Sequence, residues 1–256
     1  MVAPPDHHLL VEGAVVRLSV GPRENGHRPS VDALFRSAAA VGHDRVIGVI
    51  LSGTRDDGAA GLAAIKASGG ATIVQDPDEA MYRGMPASAL ASVAVDAVVP
   101  SSLVAQTVCA MVTGQDPGPG AGNVDTAQPS DGDTLTSVCP ECGGVLTEEH
   151  RAGVPQWECH VGHRYSPRSL ADAQGVRVEQ ALWTAVRMLR DRSALLYRMA
   201  DHAEVRQQPR SARRFRNQAN DASAQANVVL AALREAAGST LQLADDDQVA
   251  EREVAG

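Results

Sequence analysis

An acidic turn set directly behind an apolar run is the part of this chain best suited to chemistry. Residues Val49-Ile50-Leu51-Ser52-Gly53-Thr54-Arg55-Asp56-Asp57-Gly58-Ala59-Ala60-Gly61-Leu62 read as a buried strand, a tight turn and a helix start. Such a turn lifts a carboxylate to the C-terminal edge of a parallel sheet, where open α/β proteins bind their ligands. A carboxylate there can orient a catalytic histidine without attacking substrate itself. Taken alone, the residue types also allow a plainer role, because aspartates cap helix N-termini.

A second constellation has metal-ligand spacing. Cys139-Pro140-Glu141-Cys142-Gly143-Gly144 has the shape of a zinc knuckle, and Cys159-His160-Val161-Gly162-His163 offers a third thiolate and two imidazoles. Zinc takes four such ligands in a tetrahedron, and a closed set of three cysteines and one histidine is a structural site with no open position. Cys139, Cys142 and Cys159 are the expected Zn2+ ligands. His163 is favoured over His160 as the fourth, because a Cys-x3-His turn wraps an ion more easily than adjacent residues do. Redox use of a Cys-x-x-Cys pair normally goes with a thioredoxin-like strand and helix, which nothing here supports. Cys109, among apolar residues, is expected to be buried and inert.

The elements that must position these groups alternate at short spacing. A hairpin is expected over 8–19, and a helix opens at Arg28-Pro29-Ser30-Val31-Asp32 with Ser30 as N-cap. Val46–Leu51 reads as a strand covered on both faces. A helix over 59–67 ends at Gly69-Gly70, a C-cap signature that also explains Ser68 without a nucleophilic role. Strands follow at 71–75 and 95–99, with helices at 87–92 and 101–112. The pattern is that of an α/β unit with a partial doubly wound parallel sheet.

After residue 113 the composition changes. Residues 114–136 are Gly/Pro-rich and then acidic, as in a flexible linker. The expected divisions are the α/β unit at 1–113, this linker, a small zinc ribbon at 137–166, an antiparallel helical hairpin at 167–238 and an acidic disordered tail at 239–256. The hairpin's first stripe is Val178, Leu182, Ala185, Leu189, Leu196 and Met199, interrupted by Arg192. Its second is Phe215, Ala219, Ala222, Ala226, Val229 and Leu233, and Pro209 divides the two. Arg206, Arg210, Arg213, Arg214 and Arg216 make the turn basic, either as a solvated turn pairing with the acidic tail or as a docking site for an acidic partner.

Bulk properties narrow the classes. With a formal charge of −8 over 256 residues, the chain lacks the general basic surface of a nucleic-acid or anionic-membrane binder. Aromatics make up 3%, so the core must be packed with aliphatic side chains and alanine. No stretch reaches the roughly 18 uninterrupted apolar residues of a membrane span. The N-terminus lacks the basic and apolar regions of a secretory signal, so the expected location is the cytoplasm.

Three motifs in order, His27-Arg28-Pro29-Ser30-Val31-Asp32-x-Leu34-Phe35, then Gly48-Val49-Ile50-Leu51-Ser52-Gly53 through Asp57-Gly58-Ala59-x-Gly61, then Gly84-Met85-Pro86, closely resemble the catalytic domain of the chemotaxis protein-glutamate methylesterases, the CheB family. Ala3-Pro4-Pro5-Asp6-x-His8 resembles the segment before that family's middle hairpin, and the likeness covers about residues 3–112. It implies a hydrolase that removes methyl esters from receptor glutamates and can deamidate receptor glutamines by Ser-His-Asp logic. Asp57 matches the family's aspartate. His27 and Met85 are candidate substrate-groove residues, although His8 and His27 also suit hydrogen-bonded structural roles. Thr54-Arg55 and Asp56 stand where the family often has methionine, glycine and asparagine.

In the family, the nucleophilic serine and the base histidine lie upstream of the Ala-Pro-x-Asp-x-His segment, which here begins almost at Met1. No Gly-x-Ser-x-Gly elbow occurs in the chain. The expectation is therefore a methylesterase segment without its serine and histidine, inactive alone, whose partner is a methylated chemoreceptor or related signalling protein. The alternative is a non-catalytic interaction protein that works through the ribbon and hairpin. Cys-x-Val-Gly-His-x-Tyr-Ser at 159–166 resembles a zinc-ribbon extension found behind the esterase domain in some family members, with Trp157 and Tyr165 placed to pack it.

Overall fold

The computed structural model describes residues 1–114 and 137–253, with side chains described as far as Glu235. Apart from Gly114, the expected linker at 114–136 lies outside the described residues. Two compact units, Met1–Gln174 and Gly175–Gly256, divide the chain.

The first unit opens with an antiparallel hairpin, β1 (His8–Glu12) and β2 (Val15–Ser19), in register from His8↔Ser19 to Glu12↔Val15. Helix α1 (Val31–Gly42) follows. Then come β3 (Ile47–Ile50), α2 (Ala59–Ala67), β4 (Ala71–Gln75), α3 (Gly84–Ser92), β5 (Ala97–Val99) and α4 (Val104–Val112). The three strands form a parallel sheet in the order β3-β4-β5. Parallel neighbours need crossovers, and α2 and α3 supply them. Ile50, Leu62, Val74, Ala89 and Val93 form the core, with Phe35 and Met85 packed against it.

Two expectations are corrected here. In β3, Gly48 and Ile50 are buried while Ile47 and Val49 are only partly covered, so one face, not both, is sealed among the described residues. Cys109 is exposed. The covered stripe of α4 is Val104, Thr107, Val108 and Met111, at i, i+3, i+4 and i+7, and position 109 falls off it. Local apolarity had suggested burial; the helical phase decided otherwise.

The ribbon is a four-stranded antiparallel meander: β6 (Ser137–Val138), β7 (Val145–Arg151), β8 (Val154–Cys159) and β9 (Arg164–Tyr165). Its small core joins Cys139, Leu146, Cys159, Tyr165 and Leu170, with Trp157 against it, as the sequence led one to expect for Trp157 and Tyr165. The ribbon does not stand apart from the α/β unit. Val154, at its β7–β8 turn, is buried in the same cluster as Leu62 and Ile50. Its last residues also bond to the α/β loops: the Asn25 amide donates to the Arg164 carbonyl at 2.7 Å.

Helix α5 (Pro167–Val205) contributes its first turns to this unit. In the second unit, the rest of α5 pairs with α6 (Pro209–Glu253). Pro209 stands at the first position of α6, where its missing N–H costs nothing. The Ser193 hydroxyl donates to the Ala219 carbonyl, Tyr197 to Asn220 Oδ1, and Arg216 pairs with Glu204. Ser193 lies against Ala219 and Glu204, eleven residues on, against the earlier Arg216, so the pair is antiparallel. Helix α6 continues past 238, through much of the stretch expected as an acidic tail; 254–256 lie outside the described residues.

The second predicted stripe matches the seam, with Ala219, Ala222, Ala226 and Leu233 buried. The first agrees over its middle, where Leu196 is buried and Leu182, Ala185 and Leu189 are half-buried, and fails at its ends, where Val178 and Met199 are exposed. Val186, Ser193, Ala200 and Ala203 are also buried, and Ser193 rather than Arg192 occupies the polar seam position. Alanines on both helices let the backbones approach closely, which selects the Ala200/Ala203 face over the bulkier Met199 face. We therefore expect Ala219→Leu to overpack the seam and lower stability by about 1–3 kcal/mol, read as an earlier loss of helical circular dichroism in urea.

Candidate functional site

Asp57 sits where β3 hands over to α2 and is 5% exposed. The turn needs glycine after it. Gly58 has φ 92°, and a Cβ there would come within 2.5 Å of Ile50 and 2.9 Å of Val31. Asp57 Oδ1 accepts from Asn25 Nδ2 (2.9 Å), Ser30 Oγ (2.6 Å) and the Asp32 amide (3.2 Å). Oδ2 accepts from the Val31 amide (2.7 Å). The carboxylate thus caps α1 from a distant turn. Ser30 holds the N-cap position in the backbone, with φ −121° and ψ 141°, but its side chain makes no cap bond and serves Asp57 instead. A full negative charge at the positive end of a helix, bonded to two of its free amides, outcompetes a hydroxyl.

One lone pair of Oδ2 remains, and it faces His27. His27 Nε2 lies 3.7 Å away, beyond hydrogen-bond length, while Nδ1 is 2.7 Å from the Pro29 carbonyl. A carbonyl only accepts, so Nδ1 carries hydrogen, and the neutral ring has no proton on Nε2 to offer Asp57. Serine, histidine and aspartate are therefore neighbours here without being a triad. Ser30 bonds directly to the acid, and the imidazole does not lie between them. Among the described residues no serine hydroxyl is hydrogen-bonded to a histidine ring. His8 is structural, with the Ser30 amide donating to Nδ1 and Nε2 meeting the Pro22 carbonyl. Met85 is held elsewhere: its amide donates to the Gly53 carbonyl, and its sulfur fills the space where a Gly53 side chain would be.

A second buried acid shares the site. Asp32 accepts from the Gly61 amide (2.6 Å) and from Asn25 Nδ2 (2.9 Å). Gly61 comes this close because it has no side chain; a Cβ would lie 2.6 Å from Phe35 and 3.0 Å from the Asp32 backbone. Burial, followed by the charge of Asp57, pushes Asp32 up to about 7, against the pull of its two donors. Asn25 spends both amide hydrogens on the two acids and uses its oxygen on the ribbon, accepting from the Ser166 amide and hydroxyl at 2.8 Å each. Asp56 reaches the same junction. It accepts from the Arg168 amide (2.9 Å), the Ser169 amide (3.2 Å) and the Ser169 hydroxyl (2.5 Å), and so caps α5. Arg55 pairs with Asp172 on that helix at 2.9 Å.

Adjacent aspartates thus cap two different helices. Sequence reasoning missed Asn25, Asp32, Ser166 and Ser169 as partners. Ser166-x-x-Ser169 ahead of a long helix was a visible capping signal, but nothing local ties it to a turn more than a hundred residues earlier.

The four expected metal ligands come together. One ligand atom each from Cys139, Cys142, Cys159 and His163 lies within 4.8 Å of every other. The Cys142–Cys159 sulfurs are 3.6 Å apart, and His163 Nδ1 is 3.7 Å from Cys139 Sγ and 3.5 Å from Cys159 Sγ. Edges of about 3.5–3.8 Å are what a tetrahedron with Zn–S near 2.3 Å and Zn–N near 2.0 Å requires. His160 is exposed, lies over Gly144 and is not in the group. Burial pushes the Cys159 thiol up, but the His163 and Val161 amides, with Cys142 and His163, outweigh it and bring it down to about 6. Burial raises Cys139 to about 11. A cation would offset that cost by deprotonating the thiol outright.

The site so far belongs to an α/β unit with a parallel sheet and an acidic strand-to-helix turn. Residues 1–108 match the family model described as CheB methylesterase. A relative from Leptospira interrogans is 46% identical over 106 residues, which are 41% of this chain and 55% of that protein. The protein-glutamate methylesterase/protein-glutamine glutaminase 2 of Rhodospirillum rubrum is 41% identical, over 42% of this chain and 31% of its own length. The corresponding protein 1 of Geobacter metallireducens is 47% identical, over 39% and 28%. The chain therefore spans about half of the first relative and about a third of the other two. The crystal structure of the Thermotoga maritima CheB methylesterase catalytic domain is similar at 28% identity and TM-score 0.41, over 42% of this chain and 59% of that one. Among the described residues no helix is long and apolar enough to cross a membrane.

Two outcomes follow from the buried acids. Removing the α5 cap with Asp56→Ala should cost about 1 kcal/mol in a denaturant titration of the full chain. Asp32, with its folded pKa raised, contributes stability that is complete below its unfolded value of about 3.9 and is lost as pH rises through about 7. Asp32→Asn should therefore flatten the fall in thermal midpoint between those limits, and an unchanged slope would remove Asp32 from the account.

Proposed function

We propose that residues 1–108 serve protein-glutamate methylesterase chemistry, the hydrolysis of a glutamyl methyl ester to the acid and methanol, with the related glutamine deamidation and with chemoreceptors as substrate. The match to the CheB methylesterases, falling on the segment that carries the acidic turn, is the observation that carries this reading. In Ser-His-Asp hydrolysis, serine attacks the ester carbonyl, histidine takes its proton, and the aspartate fixes and stabilises the imidazolium. Asp57 suits the third role. Four donors hold its carboxylate in one orientation and one lone pair stays open for an imidazole N–H. The serine and histidine are not supplied by the described residues, because Ser30 and His27 are committed elsewhere. The chain alone should be close to inactive. Purified chain and its Asp57→Ala variant should release methanol from methylated receptor at the same near-background rate, and robust turnover dependent on Asp57 would overturn this reading.

The ribbon's role is structural in the same proposal. Cys139, Cys142, Cys159 and His163 would hold one Zn2+, which would fix the knuckle and supply no open coordination position. Support comes from the ligand spacing and from the way the ribbon's last strand delivers Ser166 to Asn25. One equivalent of zinc per chain is expected by metal analysis, falling well below one in Cys159→Ser and staying near one in His160→Ala. Retention in the first variant or loss in the second would reassign the ligands.

A further inference from the structure

The hairpin carries a surface that neither the methylesterase reading nor the ribbon uses. Along α5, Leu195 and Met199 are 58% and 40% exposed and line a groove with Phe215 of α6. Arg198, His202 and Arg206 stand around it, and no carboxylate lines it. Met188, one heptad before Leu195, extends the apolar strip to about 16 Å along the helix. This strip runs beside the seam, which faces α6 through Leu196 and Ala200, and the two meet at buried Ala203 in the groove floor.

The surrounding charge is strongly one-sided. Residues 187–216 hold nine arginines against three acids, in a chain whose net charge is −8. Two of those acids, Asp201 and Glu204, already pair with Arg216. Among the described residues Arg198, Arg206, Arg210 and Arg213 take part in no ion pair, so their charge is available to a ligand.

We propose that this groove docks an acidic amphipathic helix of a partner protein, its apolar side chains seated on Leu195, Met199 and Phe215 and its carboxylates paired with Arg198 and Arg206. Helices seat in such grooves through apolar anchors at i, i+3/4 and i+7, which fits the length of the strip. Charge complementarity selects the sign and excludes the obvious rival. A second copy meeting this face by two-fold symmetry would bring arginines against arginines. Nucleic acid fits less well, because single strands bind by stacking on aromatic faces, and the one aromatic here, Phe215, already lies under Arg214 at 5.3 Å. The proposal does not depend on whether the α/β unit is an esterase.

The test uses the full chain and a labelled helical peptide of about 18 residues with leucines at i, i+4 and i+7 and glutamates elsewhere. Fluorescence anisotropy should show saturable binding that weakens about tenfold or more between low and high salt. Arg206→Glu and Leu195→Glu should each weaken it about tenfold while far-UV circular dichroism stays unchanged, and an Asp57→Ala control should bind normally. The idea fails if a lysine-for-glutamate peptide binds equally well, or if either groove variant keeps full affinity with intact helicity. Tighter binding of a single-stranded oligonucleotide would also refute it, as would self-association of the chain that Leu195→Glu abolishes.

Discussion

Removing a carboxylate from water is costly unless its oxygens find donors, and the first unit is organised around meeting that demand twice, at Asp57 and Asp32. Each finds main-chain amides at a place where glycine permits close approach or a helix begins. Both share the amide group of Asn25. Desolvation and mutual repulsion act against the pair, so the second acid keeps its proton far more readily than an aspartate in water would. The hairpin exit, the start of α1, the β3–α2 turn and the end of the ribbon are fixed together by this cluster.

That arrangement gives the acidic turn a double character. Asp57 is a cap by its bonds, and its one free lone pair suits the orienting role proposed for it; the two would not conflict, because capping supplies the rigidity that orientation needs. Asp56, its neighbour, faces the other way and holds α5. The ribbon is tied to the turn through Ser166 and Ser169, so its Cys/His cluster and the acidic residues belong to one connected body. A structural cation would therefore steady more than the knuckle that binds it.

Much of this was legible from residue patterns. The α2 and β4 boundaries, the gathering of Cys139, Cys142, Cys159 and His163, and the α6 seam follow from spacing, because a period of 2, 3.6 or Cys-x-x-Cys states a geometry directly. What failed were statements of phase and partner. Cys109 looked buried because its neighbours are apolar, and Met199 looked buried because it stands three residues after Leu196 in the apolar stripe. In both cases the helix turned the small-residue or in-phase positions inward. Ser30 was recognisable as a cap position, but the carboxylate that takes over its task lies 27 residues on, and no local rule links the two. Nor could sequence reveal that Ser30 and His27 stand beside Asp57 in the wrong order for catalysis.

Asn25 also has a chemical lifetime. It is followed by Gly26, and an Asn-Gly pair is the arrangement in which an unhindered backbone nitrogen most easily attacks the side-chain amide, closes a succinimide and leaves aspartate or isoaspartate behind. Closure requires the side chain to rotate freely, and here both of its ends are held by Asp32, Asp57 and Ser166. While the fold persists the amide is shielded from ageing. Each excursion to an open state exposes it, and conversion would set a third anionic group between two already crowded ones, turning a transient opening into permanent damage.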